Sequence, residues 1–522
     1  MALNDAISLP EPEGRITFSR TLPGVLVIVA AYALVHATLR LVASGNLGDD
    51  DPLDNLLVQV LAPGYSLQHG PLYDWLLWAV QRFAGTGLPS FLLVKYACLV
   101  GMAGCLFLIT RRITGSALWG FIAVESMASV YQIFWRFHEG FTHRVGAMAL
   151  AVATFWALIC VVDRGRRRDY VGLAVVVGLG LLTERPYVIF LCALLGAVAL
   201  QPAIRRRLSG RRLLALLPVV LLIVSPYVVW LLAEPQRLAE FAAAQWPARG
   251  GHSVSAMLKG LRDALTFPLF VLSPYILIVP AVFPGIWRSI FRQTPLRPVA
   301  GAAPDFGQLL AWLLLIEFAY LLCFDVLLFP RSDYPVHSLL PMFVLAIAWL
   351  SDKARATLPS PKCIRVFMLV LAGFTVTAFL VRSGNLYVYD PFCQRCRWGV
   401  PYPDLAEQLK QRGFKGGTVV SDEQHIAANL RRFFPDSRFV VPGRAGEGLP
   451  AVGGQMLVIW SAGSRGEAGD PPPAELAPYL SAVDGPAPAF LRLSWRHLWK
   501  PEWYRESRWQ YRLYEAPATG NR

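Results

Sequence analysis

Between Leu47 and Asp54 the chain reads Leu-Gly-Asp-Asp-Asp-Pro-Leu-Asp, placing Asp49, Asp50, Asp51 and Asp54 in a short loop directly after an apolar run. A carboxylate fixed at the end of a membrane span can deprotonate a hydroxyl at the membrane surface, because the span keeps it within hydrogen-bond reach. The plainer alternative is a hydrated acidic rim. A second group of reactive types follows in Trp135-Arg136-Phe137-His138-Glu139-Gly140-Phe141-Thr142-His143-Arg144. Glu139, with the acidic loop, can hold a divalent cation such as magnesium or manganese, while His143 and Arg144 can face a phosphate. Four residues separate His138 from His143, but zinc needs more ligands than that pair.

Two further polar islands interrupt apolar sequence. Glu184-Arg185 precedes Pro186, and Arg331 and His337 bracket Ser-Asp-Tyr-Pro-Val. Arginine suits a charged lipid head because its planar guanidinium keeps its charge and binds phosphate bidentately. The segment Gln68-His69-Gly70-Pro71-Leu72-Tyr73-Asp74-Trp75 contains a turn followed by an amphipathic stretch to Phe83. That predicts a helix along the membrane surface, with Trp75 and Trp78 at the interface. Glu125 and Glu317 fall inside apolar segments, where they are expected to be neutral and hydrogen-bonded rather than parts of a proton path. Cys393 and Cys396 are the one local cysteine pair. Outside the cytoplasm such a pair is expected to be a structural disulfide, zinc and redox roles being the alternatives.

The elements that must position these residues are membrane spans. Of 522 residues, 55% are hydrophobic and 16% charged, and the mean hydropathy is +0.44. That excludes an ordinary soluble chain. Apolar runs at 22–42, 88–109, 118–135, 145–162, 170–182, 187–200, 213–232, 267–286, 309–329, 337–350 and 366–381 make about eleven spans. The first reads as a retained signal-anchor. The pair 170–182 and 187–200 is short enough to form a hairpin.

The net charge of +14 arises from basic clusters at 111–112, 164–168, 205–212, 288–297 and 353–365, each in every second loop. This is a topological signal rather than a nucleic-acid footprint. It predicts a cytoplasmic tail at 1–20, a transmembrane domain at 21–382 and an extracytoplasmic α/β domain at 383–522. In the last, 418–421, 439–441 and 456–460 read as strands, and 404–412 and 424–434 as amphipathic helices.

The ordered motifs resemble the GT-C class of membrane glycosyltransferases, specifically the protein-mannosyltransferase-like group that includes aminoarabinose and galacturonosyl transferases acting on lipid A or core. The resemblance rests on Asp50-Asp51 after the first span and Gly70-Pro71-Leu72-Tyr73-x-Trp75 before the second. It continues in Glu139 with Thr142-His143, and in Phe-Pro-Arg331 through His337-Ser-Leu-Leu-Pro341, spanning roughly 22–381. It implies a polyprenyl-phosphate sugar donor, inversion at the anomeric carbon, a glycolipid acceptor and residence in a bacterial inner membrane. By position it implies Asp50 as base, with Asp51 next. Tyr73, His138, Glu139, His143, Arg144, Glu184, Arg185, Arg331 and His337 become candidate substrate contacts. The chain has Asp-Asp-Pro where Asp-Glu is common, and Glu184-Arg185 where lysine-tyrosine is common. Three alternatives stand beside this: a protein O-glycosyltransferase of the same fold, a lipid or solute transporter, and a non-catalytic scaffold in envelope assembly. Against transport, no paired repeat is visible and the ionisable groups gather at one surface. The chain carries no P-loop, consistent with a donor that is not a nucleotide.

Overall fold

The computed structural model describes residues 17–138, 140–245, 254–292, 303–323, 340–388, 398–447, 449, 454–462, 471–480, 487–496, 500 and 502–515. The chain is a polytopic helical membrane protein carrying a C-terminal sheet domain. Helix α1 (Leu22–Ala43) begins where the Thr21 hydroxyl accepts from the Gly24 N–H and Pro23 fits the first turn, both of which satisfy or remove amides that lack helical partners. Among the described residues six helices are long and apolar enough to cross a membrane: Leu22–Ala43, Leu88–Thr114, His143–Arg164, Gly210–Leu232, Phe306–Cys323 and Pro361–Tyr387. Ala117–Ser129 and Arg185–Ala199 are shorter and apolar.

Two expected runs are interrupted. The 118–135 run is helical from Ala117 to Ser126, then passes through a 3-10 turn and a single turn at Tyr131–Phe134. The 267–286 run starts within the helix Val254–Val271, breaks, and resumes at Tyr275–Val282. Pro274 sits at that break, and its missing N–H cannot continue the hydrogen-bond ladder. Val130 pairs with Pro274 in an isolated bridge, so the two interruptions lie side by side.

Charged groups sort to the two ends of the bundle. At one end Arg112 makes two bonds to Asp163, at 2.6 and 2.9 Å, Arg164 pairs with Asp169 at 2.9 Å, and Arg212 donates to the Gly165 carbonyl at 2.6 Å. At the other end lie α2 (Asp51–Leu57), α3 (Leu72–Ala84), the turn at Gly140 and the loop at Thr183. The C-terminal domain packs on this second end. Its strands β1 (Gly417–Ser421), β2 (Arg438–Val440), β3 (Gln455–Ser461), β4 (Ala489–Arg496) and β5 (Tyr504–Glu515) run in the order β2-β1-β3-β5-β4. The first three are parallel, with Val419 opposite Phe439 and Leu457, while β5 is antiparallel to both β3 and β4. All of β1 is buried, as a strand covered on both faces requires.

The domain grips the loop after α1 through backbone-like pairings. Gln59 Nε2 donates to the Phe439 carbonyl and Gln59 Oε1 accepts from the Phe439 N–H, both at 2.8 Å. Arg431 donates to the carbonyl and side-chain oxygens of Asn55 and, at 3.1 Å, to Gln81 Oε1. Asn55 returns a bond to the Ala428 carbonyl at 3.0 Å, and the Leu47 N–H donates to Asn429 Oδ1 at 2.8 Å. Next to them, Arg40 lies 4.0 Å over the Trp398 ring. The loop is therefore held from both sides, by the bundle beneath and the sheet domain above.

Candidate active site

The four acids of the first loop take up unlike surroundings. Asp49 has a φ of 52° and its carboxylate accepts from the Gly140 N–H at 3.4 Å. A Cβ on Gly140 would lie 2.1 Å from that of Asp49, so a glycine is needed for the two loops to meet. Asp50 is exposed. Crowding by the protein raises its carboxyl above the ordinary range, Arg144 pulls it down, and Asp54 and Asp49 push it up.

Asp51 points inward to a buried salt bridge with Lys95, 2.7 Å away on α4 (Leu88–Thr114). Burial lifts its carboxyl to about 6 against the pull of that ammonium. Asp54, on the next turn, is likewise pushed to about 6 by burial. The exposed and buried members of the Asp50-Asp51 pair thus have separate environments: one opens to solvent, the other ties the loop to a span.

The Gly-Pro-Leu turn ahead of α3 docks against the loop before Glu184. The Gly70 N–H donates to the Thr183 carbonyl at 2.6 Å and the Leu72 N–H to the Leu182 carbonyl at 3.0 Å. A Cβ on Gly70 would lie 2.4 Å from the Leu182 oxygen. Because that contact is backbone to backbone, Gly70→Val is expected to lose about 1–3 kcal/mol of stability, read as a lower melting temperature in detergent. A variant that melts with wild type would show that the turn has room to spare.

This docking brings together side chains far apart in sequence. His143 Nε2 is 3.3 Å from Asp54 Oδ1 and 3.7 Å from Asp74 Oδ1, and the His69 ring stacks on that of His143 at 3.4 Å. Burial, together with the charge of Asp54, holds the Asp74 carboxyl well above the ordinary carboxylate range. Burial, aided by His143, drives His69 down to about 3, so its imidazole is neutral. Ligand atoms of Asp54, His69 and His143 all lie within 4.8 Å of one another, an arrangement that could hold a metal ion. Tyr73, beside His143, is 3% exposed and its hydroxyl has no partner.

His138 joins a different cluster. Its Nε2 is 3.0 Å from the Tyr32 hydroxyl and its Nδ1 is 2.8 Å from that of Tyr96, while its ring stacks on His36 at 3.9 Å. Burial holds its pKa well below the ordinary imidazole value, and its carbonyl accepts from Arg382 at 3.0 Å. Arg144 lies 3.8 Å from Glu184. Burial lifts the Glu184 carboxyl to about 7, opposed first by Arg144 and later by Arg185. The described site therefore brings Asp50, Arg144 and Glu184 into one electrostatic neighbourhood, with Asp54, Asp74, His69 and His143 beneath. Glu139, Arg331, His337, Cys393 and Cys396 lie outside the described residues.

Sequence reasoning passed over Lys95, His69 and Asp74 as site residues. Lys95 carried a usable signal, a lone ammonium inside an apolar run, which is a functional or structural marker by default. Lower in the bundle is an apolar crevice of about 290 Å³, lined by Val25, Val29, Tyr32, Phe121, Glu125 and Val376 among others. Tyr32 links it to His138.

The family described as dolichyl-phosphate-mannose-protein mannosyltransferase matches residues 68–230. Two curated relatives from Rhizobium johnstonii match most of the chain. The lipopolysaccharide core galacturonosyltransferase RgtA is 24% identical over 475 residues, 87% of this chain and 89% of that protein. RgtB, described in the same words, is 23% identical over 471 residues, 89% and 92%. Among solved structures, ArnT from Cupriavidus metallidurans bound to undecaprenyl phosphate superposes with a TM-score of 0.60, covering 96% of this chain and 100% of that one at 12% identity.

Proposed function

We propose that the chain is a membrane glycosyltransferase of the GT-C type that moves a sugar from a polyprenyl-phosphate donor to an envelope glycolipid, a reading supported by the family match, the two relatives and the shared fold. The acceptor is of the lipopolysaccharide-core kind, and transfer takes place on the non-cytoplasmic face of a bacterial inner membrane. The observation that carries this reading is the exposed Asp50 carboxylate in the field of Arg144, at the bundle end that the C-terminal domain covers. The two lipopolysaccharide-core relatives, matched over most of the chain, support the acceptor class, and the ArnT likeness supports the fold in which such a donor is used.

Asp50 takes the proton of the acceptor hydroxyl as that oxygen attacks the anomeric carbon from the face opposite the phosphate, and polyprenyl phosphate leaves. Arg144, with Arg185 close by, stabilises the negative charge that grows on the departing phosphate, the part of the reaction where fixed cations help most. The crevice beneath Tyr32 suits the first isoprenes of the donor. Filling it with Val29→Trp is expected to raise KM for a long-chain donor about 10-fold, equivalent to about 1.4 kcal/mol, and to leave a water-soluble short-chain donor unaffected. Equal effects on both donors would remove the crevice from the lipid path.

The basic clusters, and the sorting of Arg112, Arg164 and Arg212 to the end opposite Asp50, support a cytoplasmic N-terminus, about eleven crossings and an extracytoplasmic C-terminal domain. The boundaries that follow are a tail at 1–20, a membrane domain at 21–382 and the sheet domain at 383–522.

The deciding experiment supplies the purified full chain with a polyprenyl-phosphate hexuronic acid and core glycolipid extracted from a deletion strain. Mass spectrometry is expected to show one added sugar on the glycolipid and release of polyprenyl phosphate. Sugar appearing on protein instead would give the reaction to the protein-modifying branch of the fold. Movement of the donor across vesicles without any transfer would make the chain a transporter.

A further inference from the structure

We propose that Asp54, His69, Asp74 and His143 bind a divalent transition-metal ion of the zinc type, which staples the first outside loop to α3 and to the helix His143–Arg164. This site uses none of the groups that carry the proposed reaction, Asp50, Arg144 and Arg185, and it gives His143 a ligand's role rather than a phosphate contact.

Spacing is the first argument. His143 Nε2 lies 3.3 Å from Asp54 Oδ1 and 3.7 Å from Asp74 Oδ1, and the candidate atoms of Asp54, His69 and His143 fit within 4.8 Å. A charge-assisted N–H···O bond is shorter, about 2.7–2.9 Å. Ligand atoms at the corners of a tetrahedron around zinc, with bonds of about 2.0–2.1 Å, stand roughly 3.3–3.4 Å apart. The 3.3 Å contact is a long hydrogen bond and the 3.7 Å one is too long to be one, while both separations suit ligands sharing an ion.

Unmet polar demand is the second. Asp74 is 0% exposed and neither of its oxygens has a hydrogen-bond partner; Asp54 Oδ2, His69 Nδ1 and His143 Nδ1 are also unpartnered. An unpaired buried carboxylate is among the most costly features a fold can retain. The nearby cations are engaged elsewhere, Lys95 with Asp51 and Arg144 with Glu184. Two carboxylates and two neutral imidazoles carry a charge of about −2, which one divalent ion offsets.

Donor chemistry selects the ion. Two imidazole nitrogens with two carboxylate oxygens favour zinc, or iron, cobalt or nickel, over magnesium or manganese, which prefer all-oxygen shells. The ion's role is positional. Asp54 lies four residues beyond Asp50, so an ion on Asp54 and on two separate helices fixes the short segment from which Asp50 projects.

The test uses the full-length protein purified in detergent without chelators, with metal content read by mass spectrometry. About one zinc per chain is expected, together with a melting temperature that falls on adding a chelator and returns with zinc. His69→Ala with Asp74→Asn is expected to retain less than a tenth of the metal. Should that double variant fail to fold, the cobalt-loaded His69→Cys variant serves in its place, because a thiolate keeps the site closed. Its spectrum is expected to gain a sulfur-to-cobalt charge-transfer band absent from the cobalt-loaded wild type. Wild-type protein that stays metal-free after zinc loading and dialysis would overturn the proposal, leaving a shared proton as what neutralises the acids. Undiminished metal in the double variant, or no new band in the cysteine variant, would overturn it too.

Discussion

Asp50→Asn is expected to lower the turnover of sugar transfer by about 10²–10⁴-fold, the range general-base catalysis supplies, with little change in KM for either substrate. Asparagine keeps the size and the hydrogen-bonding capacity of the side chain but cannot accept a proton. Because Asp50 is exposed, the substitution leaves the fold and its melting temperature in place. In the wild type the same group sets the acid limb of the rate profile. Its carboxyl is raised above the ordinary range by crowding from the protein, and a base works only when deprotonated. Activity is therefore lost as pH falls through that raised pKa, at a higher pH than an ordinary aspartate would give. Wild-type turnover in Asp50→Asn, at any pH, would take the role of base away from Asp50.

Lys95→Met tests the opposite member of the pair. It leaves Asp51 buried at 4% exposure without its ammonium partner, and removing one half of a buried ion pair costs about 3–5 kcal/mol. The loss depends on pH in a definite sense. The folded pKa of Asp51, about 6, lies above its ordinary 3.8, so its contribution to stability is fully present below the ordinary value and is lost as pH rises through the folded one. Without Lys95 the folded pKa moves higher still, and the penalty extends through neutral pH. The difference in melting temperature between wild type and Lys95→Met should be small near pH 5 and large near pH 8. Adding Asp51→Asn to Lys95→Met should recover most of it. An equal deficit at both pH values would mean that the lysine acts through packing rather than charge.

The acidic loop, the helix after the Gly-Pro-Leu turn and the Glu184-Arg185 island were all legible, because each is written in consecutive residues next to an apolar run. Strands β1, β2 and β3 were legible for the same reason: short apolar runs between turns. Strands β4 and β5 were passed over, although Ala489-Phe-Leu-Arg-Leu-Ser-Trp-Arg496 alternates as a half-covered strand does. Their charged, aromatic composition hides the alternation, and it is pairing with β3 that gives it meaning. The convergence of His69, Asp74 and His143 on Asp54 was not legible at all. It depends on the Gly70 N–H reaching the Thr183 carbonyl, a contact with no local signature. The broken helix near Val130 was hidden similarly, since apolar composition continues through it and only its packing against Pro274 marks the interruption.

The bond between Gln59 and Phe439 joins positions 380 residues apart. Ribosomes emit the chain from its N-terminus, so the acid-bearing loop leaves the translocation machinery long before the residues that clasp it exist. Until Phe439 and Arg431 have been made and folded, the segment bearing Asp50 lacks the ceiling they give it.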